Sequence, residues 1–322
     1  MAAGGIPTPR FSYSGIQGIG KRKGSISLQI NKEKQRLIII GAGLLLIILA
    51  LVIVVVVAVG GSGDNNSEDG EYVPSNMQYI EDIYEGHYMI PKYDVSTSAL
   101  DLDQFTAQGG SITYPGAKVG IDVSDHQKEI DWAQVKTAGV DFAIIRVGYR
   151  GYTEGGLFLD NNFEANIKSA LENEIAVGVY FFSQAITTAE AEQEAQYVMD
   201  LIANYDITYP VVYDWEPITN YTEDAPPRTT DCTAEDINAF TLAFCKKVKE
   251  SGYIPAFYSN KSMGYKTYDL EALDEFDFWY AEYQPKPSFY YAFDIWQYTD
   301  AGKVNGIETA VDINLCFKNY GQ

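Results

Sequence analysis

Hydrophobic residues occur along this chain in one long unbroken run, followed later by eight short runs. The long run covers residues 37–59 and contains 23 residues without a charge. As an α-helix, such a segment would be about 34 Å long, which is enough to cross the hydrocarbon core of a bilayer. The pattern therefore predicts one transmembrane helix over residues 37–59.

The eight short runs have the length and composition of β-strands. They cover residues 119–123, 142–147, 176–182, 210–215, 254–258, 276–281, 293–298 and 309–313. Helical segments separate the first five runs, with N-cap signals at Asp131, Thr187 and Thr233, whereas loop-like connections join the last three. Because strand–helix alternation is typical of parallel sheets, we predict an α/β fold, an irregular (β/α)8-type, TIM-like barrel with about five helices over residues 118–322.

The segment between the two regions has no clear pattern. Residues 60–70 are rich in Gly, Ser and Asp, which favours a flexible linker. Further on, Tyr79, Ile80, Ile83 and Tyr84 recur at helical spacing and predict a short helix. We interpret residues 60–117 as an extracellular linker or stalk.

Charge is distributed unevenly along the chain. The net charge is −21, yet residues 1–36 contain seven basic residues and one acidic residue, leaving 16 basic and 43 acidic residues after them. The positive-inside tendency predicts a cytoplasmic basic tail at residues 1–36 and a catalytic domain outside a cell membrane. A cleavable signal is the alternative, although its apolar core would be shorter. The acidic excess argues against a nucleic-acid partner.

Cysteine and histidine are scarce. Three cysteines, Cys232, Cys245 and Cys316, do not make a disulfide framework, although one bridge remains open. With only His87 and His126 available and no zinc spacing, we expect no metal or other cofactor. The chain also contains no G-x-S-x-G nucleophile motif and no glycine-rich phosphate loop.

Four carboxylates stand at predicted strand ends, where barrel enzymes carry their chemistry. Asp122 closes the first run, Asp214 and Glu216 close the fourth, and Asp312 closes the last. Asp214 and Glu216 are two residues apart, so both face one way, about 6.6 Å apart along the strand. Mutual repulsion and burial should then leave one proton donor beside one anion, as glycosidic cleavage requires. Alternatively, the pair caps a loop or binds arginines.

Aromatic residues near the strand ends, Tyr283 among them, are candidates for stacking on sugar rings. The candidate substrate-binding aromatics are Tyr149, Tyr180, Tyr258 and Trp279, each of which could equally belong to the core. Two basic residues, Arg146 and Arg150, either hold carboxylates in place or lie at the surface. His126 is interpreted as a hydrogen-bonding loop residue.

Taken together, these motifs resemble glycoside hydrolase family 25, the N-acetylmuramidases, over residues 118–322. The segments that carry the resemblance are 120–124, 127, 130–132, 139–149, 178–182, 210–216, 278–281, 295–298 and 311–314, which read GIDVS, Q, IDW, GVDFAIIRVGY, GVYFF, PVVYDWE, FWYA, IWQY and VDIN. The resemblance implies an irregular barrel of eight strands and about five helices.

It also implies hydrolysis of the β-1,4 bond from N-acetylmuramic acid to N-acetylglucosamine, with peptidoglycan glycan strands as the partner. Glu216 then corresponds to the general acid and Asp214 to the group that stabilises the positive intermediate. Asp122 and Asp312 correspond to flanking carboxylates, while Tyr180 and Gln297 line the sugar site.

Several alternatives stay open. The chain departs from many family members at Phe181 and His126, which leaves the sugar subsites undefined. The spacing does not decide between retention and inversion. The substrate could be another N-acetylhexosamine polymer such as chitin, or the domain could bind the wall without catalysis. Partners in a membrane complex are unknown.

Overall fold

The computed structural model describes residues 73–222 and 224–321 of the chain. Within them lie thirteen strands: β1 Met77–Asp82, β2 Gly86–Pro91, β3 Thr106–Gln108, β4 Ser111–Thr113, β5 Lys118–Val123, β6 Phe142–Arg150, β7 Leu157–Leu159, β8 Ala176–Ser183, β9 Val211–Trp215, β10 Pro255–Asn260, β11 Asp277–Ala281, β12 Ile295–Gly302 and β13 Val311–Cys316. The same residues form six α-helices: α1 Trp132–Thr137, α2 Phe163–Glu172, α3 Thr188–Ile202, α4 Ala234–Glu250, α5 Lys261–Lys266 and α6 Leu270–Leu273. Two single-turn 3-10 helices cover Leu102–Gln104 and Asp125–Gln127.

Eight strands close into a barrel in the order β5, β6, β8, β9, β10, β11, β12 and β13, and β13 pairs back with β5. These are the eight predicted hydrophobic runs, so the predicted α/β barrel is confirmed. Pairing from β5 round to β12 is parallel, but β13 is antiparallel to both of its neighbours. The expectation of a parallel sheet is therefore wrong for the last strand.

The helix starts follow the predicted capping signals. Asp131 accepts a hydrogen bond from the Gln134 amide at the start of α1, and Thr187 accepts one from the Glu190 amide at the start of α3. At the start of α4, Thr233 and the helical residue three positions on exchange both bonds of a capping box. These caps occupy amide groups that the first helical turn leaves unpaired.

Side chains alternate across the barrel wall because successive strand residues point to opposite faces. One set packs with the surrounding helices in the main hydrophobic core. The other set fills the barrel interior and includes Phe142, Ile144, Val212 and Trp279. At Gly120 in β5, an added Cβ would lie 2.2 Å from the Phe142 ring, so this position leaves room for that ring.

Residues 73–117 do not form a separate stalk. The predicted helix around Tyr79 to Tyr84 is wrong: β1 and β2 form an antiparallel hairpin here, and β3 and β4 form a second. The segment packs on the barrel, since Phe105 stacks edge-on against Trp296 and Tyr93 donates to the Tyr268 carbonyl. It belongs to the same structural unit as the barrel.

None of the helices in the described part of the chain is long and apolar enough to span a bilayer. The predicted transmembrane helix at residues 37–59 and the basic tail at 1–36 lie outside the described residues. So does the predicted linker up to residue 72.

Candidate active site

The inward-facing residues become polar at one end of the barrel and line a cavity of about 210 Å³. This end carries the carboxyl ends of the parallel strands. The cavity is lined by Asp122, Val123, Ser124, His126, Gln127, Arg146, Tyr180, Asp214, Glu216, Tyr258, Trp279, Tyr283, Gln297 and Asp312. All four predicted carboxylates therefore share one cavity, together with four of the five predicted sugar-binding residues.

Asp312 reaches this cavity by a route that the sequence analysis did not foresee. It was expected to close the last strand, but it lies at the beginning of β13. Because β13 runs antiparallel, its first residues lie at the mouth of the barrel, and Asp312 pairs with Asp122 in register. The position was predicted correctly only because two errors, strand end and strand direction, cancel.

Asp122 is held by two side-chain amides. One of its carboxylate oxygens accepts hydrogen bonds from Gln297 Nε2 at 2.9 Å and from Asn314 Nδ2 at 2.8 Å. Burial raises the pKa of Asp122 well above its usual range, and the neighbouring Asp312 raises it further, while the two amides oppose the shift.

The amides are themselves oriented by the aromatic residues of the cavity. Tyr258 and Tyr283 both donate to Gln297 Oε1, at 3.0 and 2.9 Å. Trp279 Nε1 donates to Asn314 Oδ1 at 2.8 Å. Each amide therefore has its oxygen occupied by an aromatic donor, so its NH2 group faces the carboxylate.

Asp214 and Glu216 form the close carboxyl pair that the sequence predicts. Asp214 is 7% exposed, and its Oδ1 atom has no hydrogen-bond partner in the protein. Burial raises the pKa of Asp214 well above its usual range, followed by repulsion from Glu216 and Asp122. Burial also raises the pKa of Glu216, whereas a bond to Asp214 opposes that rise. Two close, desolvated carboxyls of this kind retain one proton between them.

The backbone that carries Glu216 is anchored from behind. Gln184, fully buried after β8, donates through Nε2 to the Glu216 carbonyl at 2.8 Å. Its own oxygen accepts from Thr229 Oγ1 at 3.1 Å. Asp312, on the opposite wall, has a pKa raised to about 6 by burial and by Asp300.

Both Arg146 and Arg150 bind carboxylates, but neither binds one of the four carboxylates predicted at strand ends. Arg146 lines the cavity and binds Asp125 at 2.6 Å and Asp160 at 2.7 Å. Arg150 is 3% exposed and binds the fully buried Glu194 at 2.6 Å behind the cavity. The open choice between a holding role and a surface position is decided in favour of holding.

One predicted sugar-binding residue lies elsewhere. Tyr149 does not line the cavity; its ring stacks on Phe158 with centroids 5.3 Å apart, and the two residues pair across β6 and β7. Strand β7, which was not predicted from the sequence, therefore covers the Tyr149 ring. His126 lies at the cavity rim, 78% exposed, 3.2 Å from Asp125.

Asn314 and Tyr283 complete the site. Tyr283 is one of the aromatic residues that the sequence offers for stacking on sugar rings, whereas Asn314 was not predicted as a functional residue. Asn314 belongs to the last predicted motif and shares the inward face with Asp312, which is the signal that could have revealed it. All three cysteines are unpaired thiols. In the described ranges, no group of three or more His, Cys, Asp and Glu side chains is placed to hold a metal ion.

Comparison with known proteins agrees with this geometry. The family model of glycosyl hydrolases family 25 matches residues 121–307, more than half of the chain. The chain belongs to this family. The matched residues run from β5 to the segment before β13, so family 25 accounts for most of the barrel and three of the four carboxylates. Family membership confirms the predicted glycoside hydrolase class.

Relatives of this family 25 chain include characterised and uncharacterised proteins. Lysozyme M1 of Streptomyces globisporus is 27% identical over 216 residues, which cover 61% of this chain and 66% of that protein. The uncharacterized protein YegX of Escherichia coli K12 is 28% identical over 200 residues, covering 61% of this chain and 68% of YegX. The chain thus spans about two thirds of these relatives.

Solved structures share the fold. The modular autolysin LytC of Streptococcus pneumoniae matches with a TM-score of 0.55 and 23% identity, covering 76% of this chain and 57% of LytC. The spore cortex lytic enzyme SleM of Clostridium perfringens matches with a TM-score of 0.54 and 20% identity, covering 63% of this chain and 68% of SleM.

Proposed function

We propose that this chain is a peptidoglycan muramidase that hydrolyses the β-1,4 bond between N-acetylmuramic acid and N-acetylglucosamine. The observation that carries the proposal is the convergence of Asp122, Asp214, Glu216 and Asp312 in one cavity at the mouth of a family 25 barrel. Two relatives named as lysozymes support it, lysozyme M1 and the autolytic lysozyme of Clostridium acetobutylicum. LytC, which shares the fold, has been solved in complex with a synthetic peptidoglycan ligand.

In this proposal Glu216 is the general acid. Burial raises its pKa above the usual range, which favours the protonated form that can donate to the glycosidic oxygen as the bond breaks. Asp214 then carries the negative charge and stabilises the positive charge that develops on the sugar, directly or through the substrate's acetamido group. Its Oδ1 atom is buried without a hydrogen-bond partner, so no bond within the protein competes for its charge.

Asp122 and Asp312 contribute negative potential on the opposite wall. Asp312 raises the pKa of Glu216 and Asp122 raises that of Asp214, which favours retention of a proton by the pair. Asp122 cannot rotate freely, because Gln297 and Asn314 both bind one of its oxygens. The fixed carboxylate supports a positively charged transition state without reorganisation.

The remaining walls are suited to a sugar. Tyr180 and Trp279 are in edge-to-face contact at 6.0 Å between centroids, and Tyr258 contacts Trp279 at 4.9 Å. Such rings offer apolar faces beside hydroxyl and amide groups, a combination that binds the alternating faces of a pyranose.

Product analysis tests the proposal. The full chain is incubated with purified peptidoglycan and, separately, with chitin, and the released fragments are identified by mass spectrometry after reduction. We expect muropeptides with reduced muramic acid at the new end and no release from chitin. Cleavage of chitin alone would instead assign another N-acetylhexosamine polymer, and binding without release of reducing ends would assign a wall-binding scaffold.

Glu216→Gln provides the residue-level test. This variant keeps the shape of the side chain but cannot donate a proton, so we expect a loss of roughly 10²–10⁴-fold in kcat. Glu164→Gln, at an exposed side chain of helix α2, is the matched control and should retain activity. Full activity of Glu216→Gln would remove Glu216 from the acid role.

We also propose that residues 37–59 anchor the enzyme in the cell membrane with its catalytic domain outside and residues 1–36 in the cytoplasm. The support is the 23-residue uncharged run with its basic flank. Protease added to intact spheroplasts should digest the barrel while an N-terminal epitope survives. If the barrel and the epitope both resist protease until the membrane is opened, this orientation is contradicted.

A further inference from the structure

The β1–β2 hairpin lies against the mouth of the barrel, although it precedes the family 25 match, which starts at residue 121. Its turn contacts two barrel segments at the active-site end. One is Lys261, which directly follows β10, and the other is the segment 282–288, which directly follows β11. The contacts are specific and centre on the buried pair of Lys261 and Asp82, which suggests a role for the hairpin at the cleft.

Lys261 is the centre of these contacts. Its side chain is 15% exposed, and its ammonium group binds Asp82 at 2.5 Å, Glu85 at 2.9 Å and Ser288 Oγ at 2.8 Å. Asp82, at the end of β1, has a fully buried side chain. Because an ammonium has three donors, these partners use all of them and tie the hairpin turn to the segment 282–288.

Tyr84 adds a second connection between the same two parts. Its hydroxyl donates to the Lys286 carbonyl and accepts from the Lys286 amide, both at 3.0 Å. Within the segment, Glu282 accepts from the Ser288 amide and hydroxyl, each at 2.6 Å. The segment 282–288 is therefore fixed at its beginning, middle and end.

This segment carries Tyr283, which lines the cavity although it is 48% exposed. Its hydroxyl donates to Gln297 Oε1, and Gln297 in turn holds Asp122. An exposed side chain on a connecting segment would sample several rotamers if its backbone moved. Strand β12 holds the backbone just before Tyr283, since Glu282 bonds to the Gln297 carbonyl and to Trp296 Nε1. The position of Tyr283 therefore depends further on what immobilises residues 284–288, which follow it.

We infer that the β1–β2 hairpin is a positioning element of the cleft: through Lys261 and Tyr84 it fixes the segment 282–288 and holds Tyr283 against Gln297. The hairpin contributes no catalytic residue, since none of its residues lines the cavity. The inference rests on the proposed function in one respect, which is that a bound glycan would contact Tyr283. The positioning itself does not depend on which glycan is cleaved.

The test compares Lys261→Met and Tyr84→Phe with Lys249→Met in the full chain. Lys249 makes an exposed ion pair with Glu275 at 2.5 Å, at the far end of the barrel, so its loss controls for removal of a lysine ion pair. Tyr84→Phe removes one exposed hydroxyl and does not threaten folding. It keeps the test decisive if Lys261→Met is poorly folded.

The first readout is hydrogen exchange of the amides in residues 282–288, which needs no substrate. We expect exchange there to be roughly tenfold faster in Lys261→Met and several-fold faster in Tyr84→Phe, because each hydrogen bond lost contributes about that much protection. Lys249→Met should leave these amides unchanged. Unchanged exchange in both test variants would overturn the inference.

The second readout is a double-mutant cycle with Tyr283→Phe on peptidoglycan. Lys261→Met and Tyr283→Phe should each raise KM about three- to tenfold with little change in kcat, and the double variant should be no worse than either. Multiplicative effects would show that Lys261 does not act through Tyr283 and would overturn the inference. If the unaltered chain cleaves no glycan, the proposed function fails while the exchange measurement still decides this one.

Discussion

The buried ion pair between Arg150 and Glu194 allows a quantitative prediction for stability. Arg150 is 3% exposed and Glu194 is fully buried. Besides Glu194, the guanidinium binds the carbonyls of Gly155 at 2.6 Å and Glu190 at 3.1 Å, and Gln193 Oε1 at 3.1 Å. Arg150→Met keeps much of the apolar stem but leaves four acceptors without their donor.

Removing one partner of a buried ion pair costs about 3–5 kcal/mol, because the remaining charge stays desolvated. For a unit of this size, each kcal/mol lowers the melting temperature by about 2–4 °C. Arg150→Met should therefore melt roughly 6–20 °C below the unaltered chain when unfolding is followed by circular dichroism. Lys168→Met, which removes an exposed ion pair with Glu164, should cost less than about 1 kcal/mol.

The loss should also depend on pH. Burial raises the pKa of Glu194 to about 7, while Arg150 opposes that rise. Without Arg150 the folded-state pKa rises further above the ordinary value of 4.5, and stability is lost as pH rises through it. The deficit should thus be smaller at about pH 5.5 than at about pH 8. A deficit below 1 kcal/mol at the higher pH, equal to that of Lys168→Met, would refute the reasoning.

Three further predictions concern the cavity and its frame. Burial raises the pKa of Asp312 to about 6, so the ionised group destabilises the fold increasingly as pH rises through that value. Asp312→Asn should therefore raise the free energy of unfolding by about 1–3 kcal/mol at pH 7 and by much less at pH 4. Denaturant titration at the two pH values measures this difference. Asn314→Leu removes one of two donors to Asp122 and should lower kcat about tenfold with the fold intact by circular dichroism; unchanged kcat would remove Asn314 from the site. Gly120→Ala brings a Cβ to 2.2 Å from the Phe142 ring and should lower the free energy of unfolding by about 1–3 kcal/mol. The double variant Gly120→Ala/Phe142→Leu should regain part of this stability in thermal melts.

The barrel was predictable because its strands are continuous apolar runs, each bounded by turn or capping residues. A closed barrel buries both faces of these strands, so the runs do not need strict alternation to be visible. The hairpin at residues 77–91 was missed for the opposite reason. Tyr79 and Ile80 lie in a strand while Ile83 and Tyr84 lie in its turn, and this break between two elements imitated helical spacing.

The sequence predicts those parts of the site that follow from the alternation of side chains along a single strand. Asp214 and Glu216, the latter directly after β9, share a face because two residues apart in extended backbone point the same way. The direction of β13 is a property of the whole sheet, so the true reason for the position of Asp312 could not be read from local sequence. Tyr149 was misassigned because β7, a three-residue strand, is too short to leave a recognisable pattern.

The reversed last strand also determines where the chain leaves the barrel. After β13, Phe317 donates its amide to the Asp294 carbonyl, Lys318 binds Asp277, and Tyr320 packs on Tyr209. These three partners lie at the starts of the parallel strands β12, β11 and β9, respectively. Residues 317–321 therefore emerge from the closed base, opposite the cleft. A fluorescent reporter or an immobilisation tag joined there would leave the opening unobstructed, whereas the same fusion beside the β1–β2 turn would stand close to the opening of the cavity.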